Sequence, residues 1–275
     1  MWPTDHRLPL RGASAALVLA AALCGCASTS GTEHNPDPLE PLNRITYRFN
    51  DTVDKAVMMP LARGYKSATP APVRKGVGNF FGNLESPVTI VNDFLQAKFR
   101  QGGSDTARLA VNTTVGLLGF FDPASGMGLP PHDEDFGQTL GTWGIGPGPY
   151  LVLPFLGPSD VRDTVGKVGD YEVDPLWQWQ QQPEKYELRG VQIVDIRARL
   201  LSATNLLQQS IDPYLFMRNA YLQRRRNQVY DGNPPPGGSY GAPPPPPPGQ
   251  RGGRAGGQSA GPPPPPPSQR GGPRS

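Results

Sequence analysis

The chain has 275 residues and a formal net charge of +3 at pH 7. Its two cysteines, Cys24 and Cys26, lie close together near the N-terminus, which excludes a disulfide framework and a cysteine metal site from the rest of the chain. The positive charge belongs to the two ends: residues 1–25 carry +1 and residues 232–275 carry +4, which leaves −2 for the stretch between them. This central stretch is therefore not expected to bind nucleic acid by its charge.

The N-terminus is typical of a bacterial lipoprotein. Two arginines precede an apolar run, Ala15–Leu23, that is too short to cross a bilayer as a helix, which needs about 20 residues. The run fits a secretory signal, and Leu23-Cys24-Gly25-Cys26 resembles a lipobox in which Cys26 is acylated. Several acyl chains, each contributing roughly 0.8 kcal/mol per buried CH₂, would hold Cys26 on a membrane. Ala27, rather than an aspartate, favours the outer membrane; the alternative is a secreted protein with a free cysteine.

The rest of the chain divides into a linker at residues 26–37, a body at residues 38–231 and a tail at residues 232–275. The tail has 16 prolines and 12 glycines among its 44 residues, so it lacks the apolar surface needed to fold and is predicted to be disordered. It is interpreted as a solvated spacer or, alternatively, as an arm that reaches a partner, an acidic surface or the cell wall.

Apolar residues in the first half of the body recur at the helical period and predict an all-α fold. A first helix is expected from Pro38 to near Pro60. A hairpin of two helices follows, which is predicted to begin near Pro72, to turn at Glu85-Ser86-Pro87 and to end at Gly102-Gly103. A further, mostly apolar helix is expected from Ser104 to Phe121.

The second half of the body has a different pattern at its start. Residues 135–154, DFGQTLGTWGIGPGPYLVLP, predict a glycine-rich apolar loop, held between helices, that lies against an apolar surface; a buried connection in a soluble core remains an equal alternative. Helices are expected from residue 159 to about 170, from 184 to 209, and from 210 to 226. No pair of strands with a hairpin turn is evident.

Catalytic and metal sites are not predicted. His132 stands beside three acidic residues, but no second histidine lies at a ligand spacing such as i, i+4. No Gly-x-Ser-x-Gly motif is present, and Gly144-x-Gly146-x-Gly148 lacks the Lys-Ser/Thr ending of a phosphate-binding loop. We therefore expect no enzyme activity, no metal and no cofactor.

Four segments of the body resemble one known family. They are DPLEPLNR at 37–44, GNFFGNLESPVTIVNDFLQ at 78–96, DFGQTLGTWGIGPGPYLVLPFLGPSDVRD at 135–163 and LLQQSIDPYLFMRNAYLQRR at 206–225. Together they are similar to the MlaA (VacJ) family of Gram-negative lipoproteins, in family order and over nearly the whole body.

The resemblance implies a single, ring-like helical domain with an amphipathic central channel, set in the inner leaflet of the outer membrane beside a trimeric porin. Such a protein lets phospholipid that has strayed into the outer leaflet pass to a soluble periplasmic phospholipid carrier, maintains lipid asymmetry, and catalyses no reaction. The alternative is a structural lipoprotein that tethers the outer membrane to porins or to the cell wall, without passage of lipid.

Candidate site residues follow from this frame. The predicted lipid-facing or channel-rim residues are Phe80, Phe81, Leu84, Val88, Val91, Phe94 and Leu95; the predicted channel wall contains Trp143, Tyr150, Leu151 and Leu153. Arg74, Lys75 and Lys185 are candidates for contact with a phospholipid head group, with a solvated surface role as the alternative. A place in an ordinary core is the alternative for the aromatic hairpin.

Overall fold

The computed structural model describes residues 37–179 and 183–235, and within them the chain is mostly helical. The signal peptide, Cys26 and most of the proline-rich tail, on which several predictions fall, lie outside the described residues. The first helices are α1 (Glu40–Val53), a π-helical turn (Asp54–Met58), α2 (Met59–Ala68), α3 (Ala71–Leu95), α4 (Phe99–Thr114) and α5 (Pro123–Gly126). They are followed by α6 (Phe136–Thr142), β1 (Tyr150–Leu153), β2 (Gly157–Asp160), α7 (Val161–Val173), α8 (Pro175–Gln178), α9 (Glu184–Arg199), α10 (Leu201–Gln208) and α11 (Pro213–Val229).

The predicted turn at residues 85–87 is wrong, because α3 continues through Pro87 for 25 residues. A proline inside a helix removes one hydrogen bond and costs about 3 kcal/mol. The packing of α3 along α4, the most extensive helix–helix contact among the described residues, offsets this cost. A helical hairpin does exist, but its turn lies at residues 96–98, where Ala97 takes a left-handed conformation with φ of 60°.

Gly102 and Gly103 do not end a helix as predicted, since both lie inside α4. A Cβ at Gly102 would lie 3.1 Å from Cβ of Asp93 and 3.2 Å from the Phe94 ring, so glycine here allows α4 to approach α3 closely. The predicted helix from Ser104 to Phe121 ends earlier, at Thr114. Residues 115–121 form tight turns in which Leu117 and Leu118 have positive φ.

The expectation of no paired strands is also wrong. β1 and β2 form an antiparallel hairpin in which Tyr150 pairs with Asp160 and Leu153 pairs with Gly157. Part of the predicted irregular loop is therefore a strand. Its four residues are too few to show the alternation of apolar and polar side chains that indicates a strand. The pairing depends instead on contacts made elsewhere in the fold.

Two asparagines of α1 satisfy the open edge of β1, and we call this pair the asparagine clamp. Asn43 donates from Nδ2 to the Tyr150 carbonyl at 2.9 Å and accepts from the Val152 amide at 2.9 Å. Asn50 makes the same two bonds with the Leu153 carbonyl, at 2.9 Å, and the Phe155 amide, at 2.8 Å. Residues seven apart lie on one face of a helix, so both asparagines reach β1. Their side chains make the hydrogen bonds that the backbone of a third strand would otherwise make with β1.

The C-terminal helices also depart from their predicted bounds. The predicted helix over 184–209 breaks at Leu200 into α9 and α10. The last helix begins at Pro213 rather than at Ser210, since Asp212 caps it by accepting a hydrogen bond from the Leu215 amide at 3.1 Å. Within the described residues, no helix combines the length and the apolar character that crossing a membrane requires.

The interior is unusually polar for a helical protein. A small apolar cluster joins β1 to α11 and consists of Tyr150, Val152, Tyr214 and Leu222. Elsewhere, buried positions are often carboxylates and amides, whereas large apolar side chains are exposed. The strongly exposed ones include Ile45, Phe99, Val115, Leu117, Leu118, Met127 and Phe155. This distribution is the reverse of an ordinary soluble core.

Candidate functional site

A cavity of about 810 Å³ lies between α3, α4, α7, α9 and the segment of residues 131–135. Its volume falls in the range of about 300–1,000 Å³ that is usual for ligand sites. The lining is mixed: many of its residues are charged or carry amides, but apolar atoms, including those of Val88, Leu156, Tyr171 and Ile196, supply the larger share of its surface. A space with this lining suits a molecule that has both charged and apolar parts.

The α3 wall of the cavity is built from small and polar residues at helical spacing. This polar stripe consists of Gly78, Asn79, Gly82, Asn83, Ser86 and Thr89. Asn83 donates to Oγ1 of Thr113 at 2.9 Å, and Asn79 donates to the Phe120 carbonyl at 3.3 Å. These two bonds attach the stripe to α4 and to the turns that follow it. No atom lies within 4 Å of where a Cβ of Gly82 would be, so the stripe leaves open space in front of it.

The polar stripe is the part of the site that the sequence prediction missed. The prediction followed the aromatic residues of the same segment, which lie on other faces of α3. A signal was nevertheless present, because Asn79, Asn83 and Ser86 recur at intervals of four and three in a helix that is rich in apolar residues.

A cluster of buried acidic groups closes the cavity near α4. Nδ1 of His132 lies 2.8 Å from Oδ2 of Asp105. Burial, together with the neighbouring Asp105, raises the pKa of Asp93 to about 7. Glu134 is bound by Nζ of Lys98 at 2.8 Å and by the Gln96 amide at 3.0 Å. The protonated form of Asp93 is therefore more favourable here than in an ordinary aspartate.

Most charged groups of the cavity wall are paired within the chain. Nη2 of Arg189 lies 2.6 Å from Oδ2 of Asp174, and Nη2 of Arg108 lies 2.7 Å from Oδ2 of Asp122. Although burial alone would raise it, hydrogen bonds from Ser125, Arg108 and neighbouring groups lower the pKa of Asp122 to about 2. The Asp122 carboxylate is consequently ionised and neutralised by the protein itself.

Asp135, also on the wall, is held by Arg225 of α11. Nη1 of Arg225 lies 2.6 Å from Oδ2 of Asp135. Burial alone would raise the pKa of Asp135, but the hydrogen bond and the charge of Arg225 lower it to about 2. The pair connects the cavity wall to the C-terminal helix.

Three charged groups on the wall make no ion pair among the described residues: Lys167, Glu85 and Asp170. Burial raises the pKa of Asp170 to about 6, opposed by hydrogen bonds from the Phe136 amide at 2.9 Å and Nδ2 of Asn92 at 3.2 Å. Glu85 is open to the cavity, yet the surrounding protein desolvates its carboxylate and raises its pKa. Of the three, Asp170 already has two hydrogen-bond donors, which leaves Lys167 and Glu85 more open to a bound molecule.

The predicted lipid-facing residues of α3 take different positions. Val88 lines the cavity, and Val91, Phe94 and Leu95 are exposed at the end of the helix. Phe81 is buried, with its ring 5.2 Å from that of Phe80 in an edge-to-face arrangement. Phe80 and Leu84 are half-buried.

The predicted channel-wall residues lie apart from the lining that the described residues define. Tyr150 is buried in the core beside Tyr214, and Leu151 and Leu153 are half-buried in β1. The Trp143 ring is half-exposed, and its Nε1 donates to the Leu95 carbonyl at 3.1 Å.

The predicted head-group cations also lie outside this lining. Arg74 donates to the carbonyls of Lys66, at 2.8 Å, and Thr69, which closes the turn between α2 and α3. Lys75 is exposed. Lys185 donates to the Trp177 carbonyl at 2.6 Å and lies over the Trp177 ring. The cations that do line the cavity are Arg108, Lys167 and Arg189.

Within the part of the chain that the structure describes, no three histidine, cysteine or acidic side chains are arranged to hold a metal ion. His132 and its acidic neighbours are engaged instead in the hydrogen bonds given above.

Comparison with known proteins gives a consistent result. The family described as MlaA lipoprotein matches residues 35–228. Proteins named intermembrane phospholipid transport system lipoprotein MlaA are 43% identical over 213 residues in Escherichia coli K12, covering 74% of this chain and 82% of the relative, and 36% identical over 224 residues in Haemophilus influenzae, covering 79% and 90%. A solved structure described as "Structural basis for maintenance of bacterial outer membrane lipid asymmetry" is 34% identical, with a TM-score of 0.63 over 72% of this chain and 99% of the other.

Proposed function

The chain belongs to the MlaA lipoprotein family, and we propose that it is the lipoprotein of an intermembrane phospholipid transport system at the outer membrane. It takes up phospholipid that has strayed into the outer leaflet and releases it towards the periplasm, where a soluble carrier receives it. The outer membrane thereby keeps its lipid asymmetry.

The observation that supports this proposal is the reversed polarity of the body. A cavity of about 810 Å³, lined by many charged and amide side chains, lies inside a body whose outward side chains are often large and apolar. Apolar side chains such as Leu117, Leu118 and Phe99 are favourable in lipid, where their exposure to water is avoided. A charged head group crosses an apolar leaflet at a high desolvation cost, and a polar cavity lowers that cost by providing hydrogen-bond partners.

We further propose that the helices surround the cavity as a ring, so that it serves as a channel, and that the body lies in one leaflet. Acylated Cys26 anchors the chain, the body associates with a trimeric porin, and no reaction is catalysed. The apolar residues predicted for lipid contact divide in this proposal: Val91, Phe94 and Leu95 face lipid, whereas Phe81 stabilises the fold.

A deletion strain tests the proposed function. Phospholipid in the outer leaflet is measured through palmitoylation of lipid A by the outer-membrane acyltransferase that uses such phospholipid as its acyl donor. We expect raised palmitoylation in the deletion strain, reversed by the wild-type gene. A Cys26→Ala variant is expected not to reverse it, because the body is no longer held at the membrane. Unchanged palmitoylation with a loosened envelope would contradict lipid removal and favour a tether.

The lipid-facing assignment is tested separately with Phe94→Asp. Because the Phe94 ring is exposed, the variant is expected to fold, yet to lose membrane contact and raise palmitoylation. Glu187→Gln, at an exposed position of α9, is a control. Normal palmitoylation in a stably expressed Phe94→Asp strain would place this end of α3 outside the lipid.

A further inference from the structure

Lys167 and Glu85 are a cation and an anion on the same cavity wall. Other charged wall residues have partners in the chain, as the pairs of Arg108 and Arg189 illustrate. Among the described residues, neither Lys167 nor Glu85 takes part in an ion pair, although both line the same cavity. Two opposite charges that lie outside ion pairs in one cavity are complementary to a molecule that carries both signs.

The hydrogen bonds of these groups show which of them are available. Asp170 already accepts from the Phe136 amide and from Asn92, so its carboxylate has partners. Glu85 accepts one neutral bond, from Nε2 of Gln192 at 2.5 Å, and Arg189 acts on its carboxylate from a longer distance; this desolvated carboxylate would gain from direct contact with a cation. Lys167 has three N–H donors and acts on Asp170 from a distance, but it makes no ion pair among the described residues.

The positions of the two groups are set by one contact between their helices. Glu85 belongs to α3 and Lys167 to α7, and Asn92 of α3 binds Asp170 of α7 at 3.2 Å. Lys167 lies one helical turn before Asp170, and Glu85 lies two turns, about 10 Å, before Asn92. Anion and cation are therefore carried by neighbouring helices on the same wall, at the ends of flexible side chains.

We propose that the cavity contains a head-group subsite for phospholipids of the phosphoethanolamine class, in which Lys167 binds the phosphate and Glu85 binds the primary ammonium. This subsite rests on the proposed phospholipid transport. An anionic phosphatidylglycerol head group fits less well, since it has no ammonium for Glu85 and adds negative charge to a wall where Asp170 is also acidic. The subsite therefore selects zwitterionic over anionic lipid.

The test uses the full-length acylated protein, purified from its membrane in mild detergent. Head groups of the co-purified phospholipid are quantified by mass spectrometry and compared with those of the source membrane. We expect phosphatidylethanolamine to be enriched over phosphatidylglycerol by about fivefold, the size of one solvent-accessible charge contact. Glu85→Gln keeps the bond to Gln192 and is expected to abolish the enrichment while total lipid is retained.

Two further variants separate the roles of the groups. Lys167→Gln is expected to lower total bound phospholipid about fivefold, with both head groups affected because both contain phosphate. Glu85→Lys is expected to reverse the preference towards phosphatidylglycerol. Glu184→Gln and Lys66→Gln, at exposed positions outside the cavity lining, are matched controls and should resemble the wild type.

The possible failures are distinguishable. Phospholipid bound at the membrane ratio, or an enrichment that survives Glu85→Gln, would overturn the subsite while leaving transport intact. Absence of any bound phospholipid, together with unchanged lipid A palmitoylation on deletion, would overturn both proposals. Binding of soluble glycerophosphoethanolamine without any lipid bias would assign the two charges to a free phosphodiester and likewise overturn the lipid subsite.

Discussion

The asparagine clamp and the polar stripe of α3 both place amide side chains inside the protein, with opposite results. In the clamp, Asn43 is matched as donor and as acceptor by the backbone of β1, so no polar atom of that amide is left for another molecule. In the stripe, Gly82 faces empty space, and the adjacent Glu85 has one neutral partner. Buried polarity therefore completes a sheet edge in one region and maintains an open, hydratable space in the other.

The clamp should be the more sensitive region for stability. Asn43→Ala removes the partners of the Tyr150 carbonyl and the Val152 amide, and each buried group left unpaired costs about 1–3 kcal/mol. We expect the free energy of unfolding to fall by roughly 3–5 kcal/mol, measured by denaturant titration in detergent. Asn219→Ala, at an exposed position of α11, is the control. A loss below about 1 kcal/mol would show that water replaces the clamp.

The stripe should be the more sensitive region for transport. Gly82→Leu places a side chain in the open space without a clash, and removal of a helical glycine stabilises by about 0.5–1 kcal/mol. We expect a stable protein in which rescue of lipid A palmitoylation is reduced about tenfold, because the cavity is filled. Gly64→Leu is a matched control, since Gly64 is also helical, has open space and lies outside the lining. Equal rescue by both variants would contradict a cavity route.

The carboxyl group of Asp170 on the cavity wall should make the stability of the protein depend on pH. The pKa of Asp170 is raised from 3.8 to about 6, so the folded protein binds this proton more tightly than the unfolded chain does. The contribution of Asp170 is therefore fully present below pH 4 and is lost as the pH rises to 6. Allowing for screening by water in the cavity, we expect a loss of roughly 1–2 kcal/mol across this interval.

Asp170→Asn should remove this part of the pH dependence while its amide oxygen still accepts from the Phe136 amide. The measurement is the free energy of unfolding at pH 4 and pH 6, with the exposed Asp133→Asn as control. An identical difference between the two pH values in Asp170→Asn and wild type would mean that Asp170 stays ionised throughout.

A surface pair gives the smallest expected effect and calibrates the comparison. Arg224 and Asp133 lie 3.1 Å apart, but their side chains are 70% and 73% exposed. Exposed pairs contribute about 0–1 kcal/mol. Arg224→Gln should therefore change the free energy of unfolding by less than about 0.5 kcal/mol, and a larger loss would require Arg224 to contact something beyond Asp133.

The hairpin of α3 and α4 shows how far sequence reasoning reaches. The periodicity of its apolar residues correctly predicted helices on both sides, but proline and glycine were assigned to the wrong places. Pro87 lies inside a helix whose packing compensates for one lost hydrogen bond, and Gly102 mediates a close helix contact. The true turn is at Ala97, a residue with no turn preference, whose positive φ depends on the helices it joins.

The candidate site also has parts that the sequence predicted and parts that it did not. The large apolar residues of α3 were easy to select because they dominate a hydropathy pattern. Among the residues predicted for this helix, Val88 does line the cavity. The polar stripe was missed although its spacing is a signal, and Lys167 and Glu85 were missed because each is an ordinary charged residue in the sequence. The importance of the two charges comes from sharing one cavity and from lying outside the ion pairs of the described residues, neither of which can be seen along a chain.

The sequence by itself determined the helical class, the family and the segments that carry the family resemblance, because these depend on local periodicity and on motifs that need no neighbours. Only the tertiary structure decided that Asn43 and Asn50 complete β1, that Asp135 is neutralised by Arg225, and that Lys167 and Glu85 share a cavity without an ion pair to the residues described. The physical reason is that the energy of a polar or charged group depends on partners and solvation, and these are set by residues that the fold brings from distant parts of the chain.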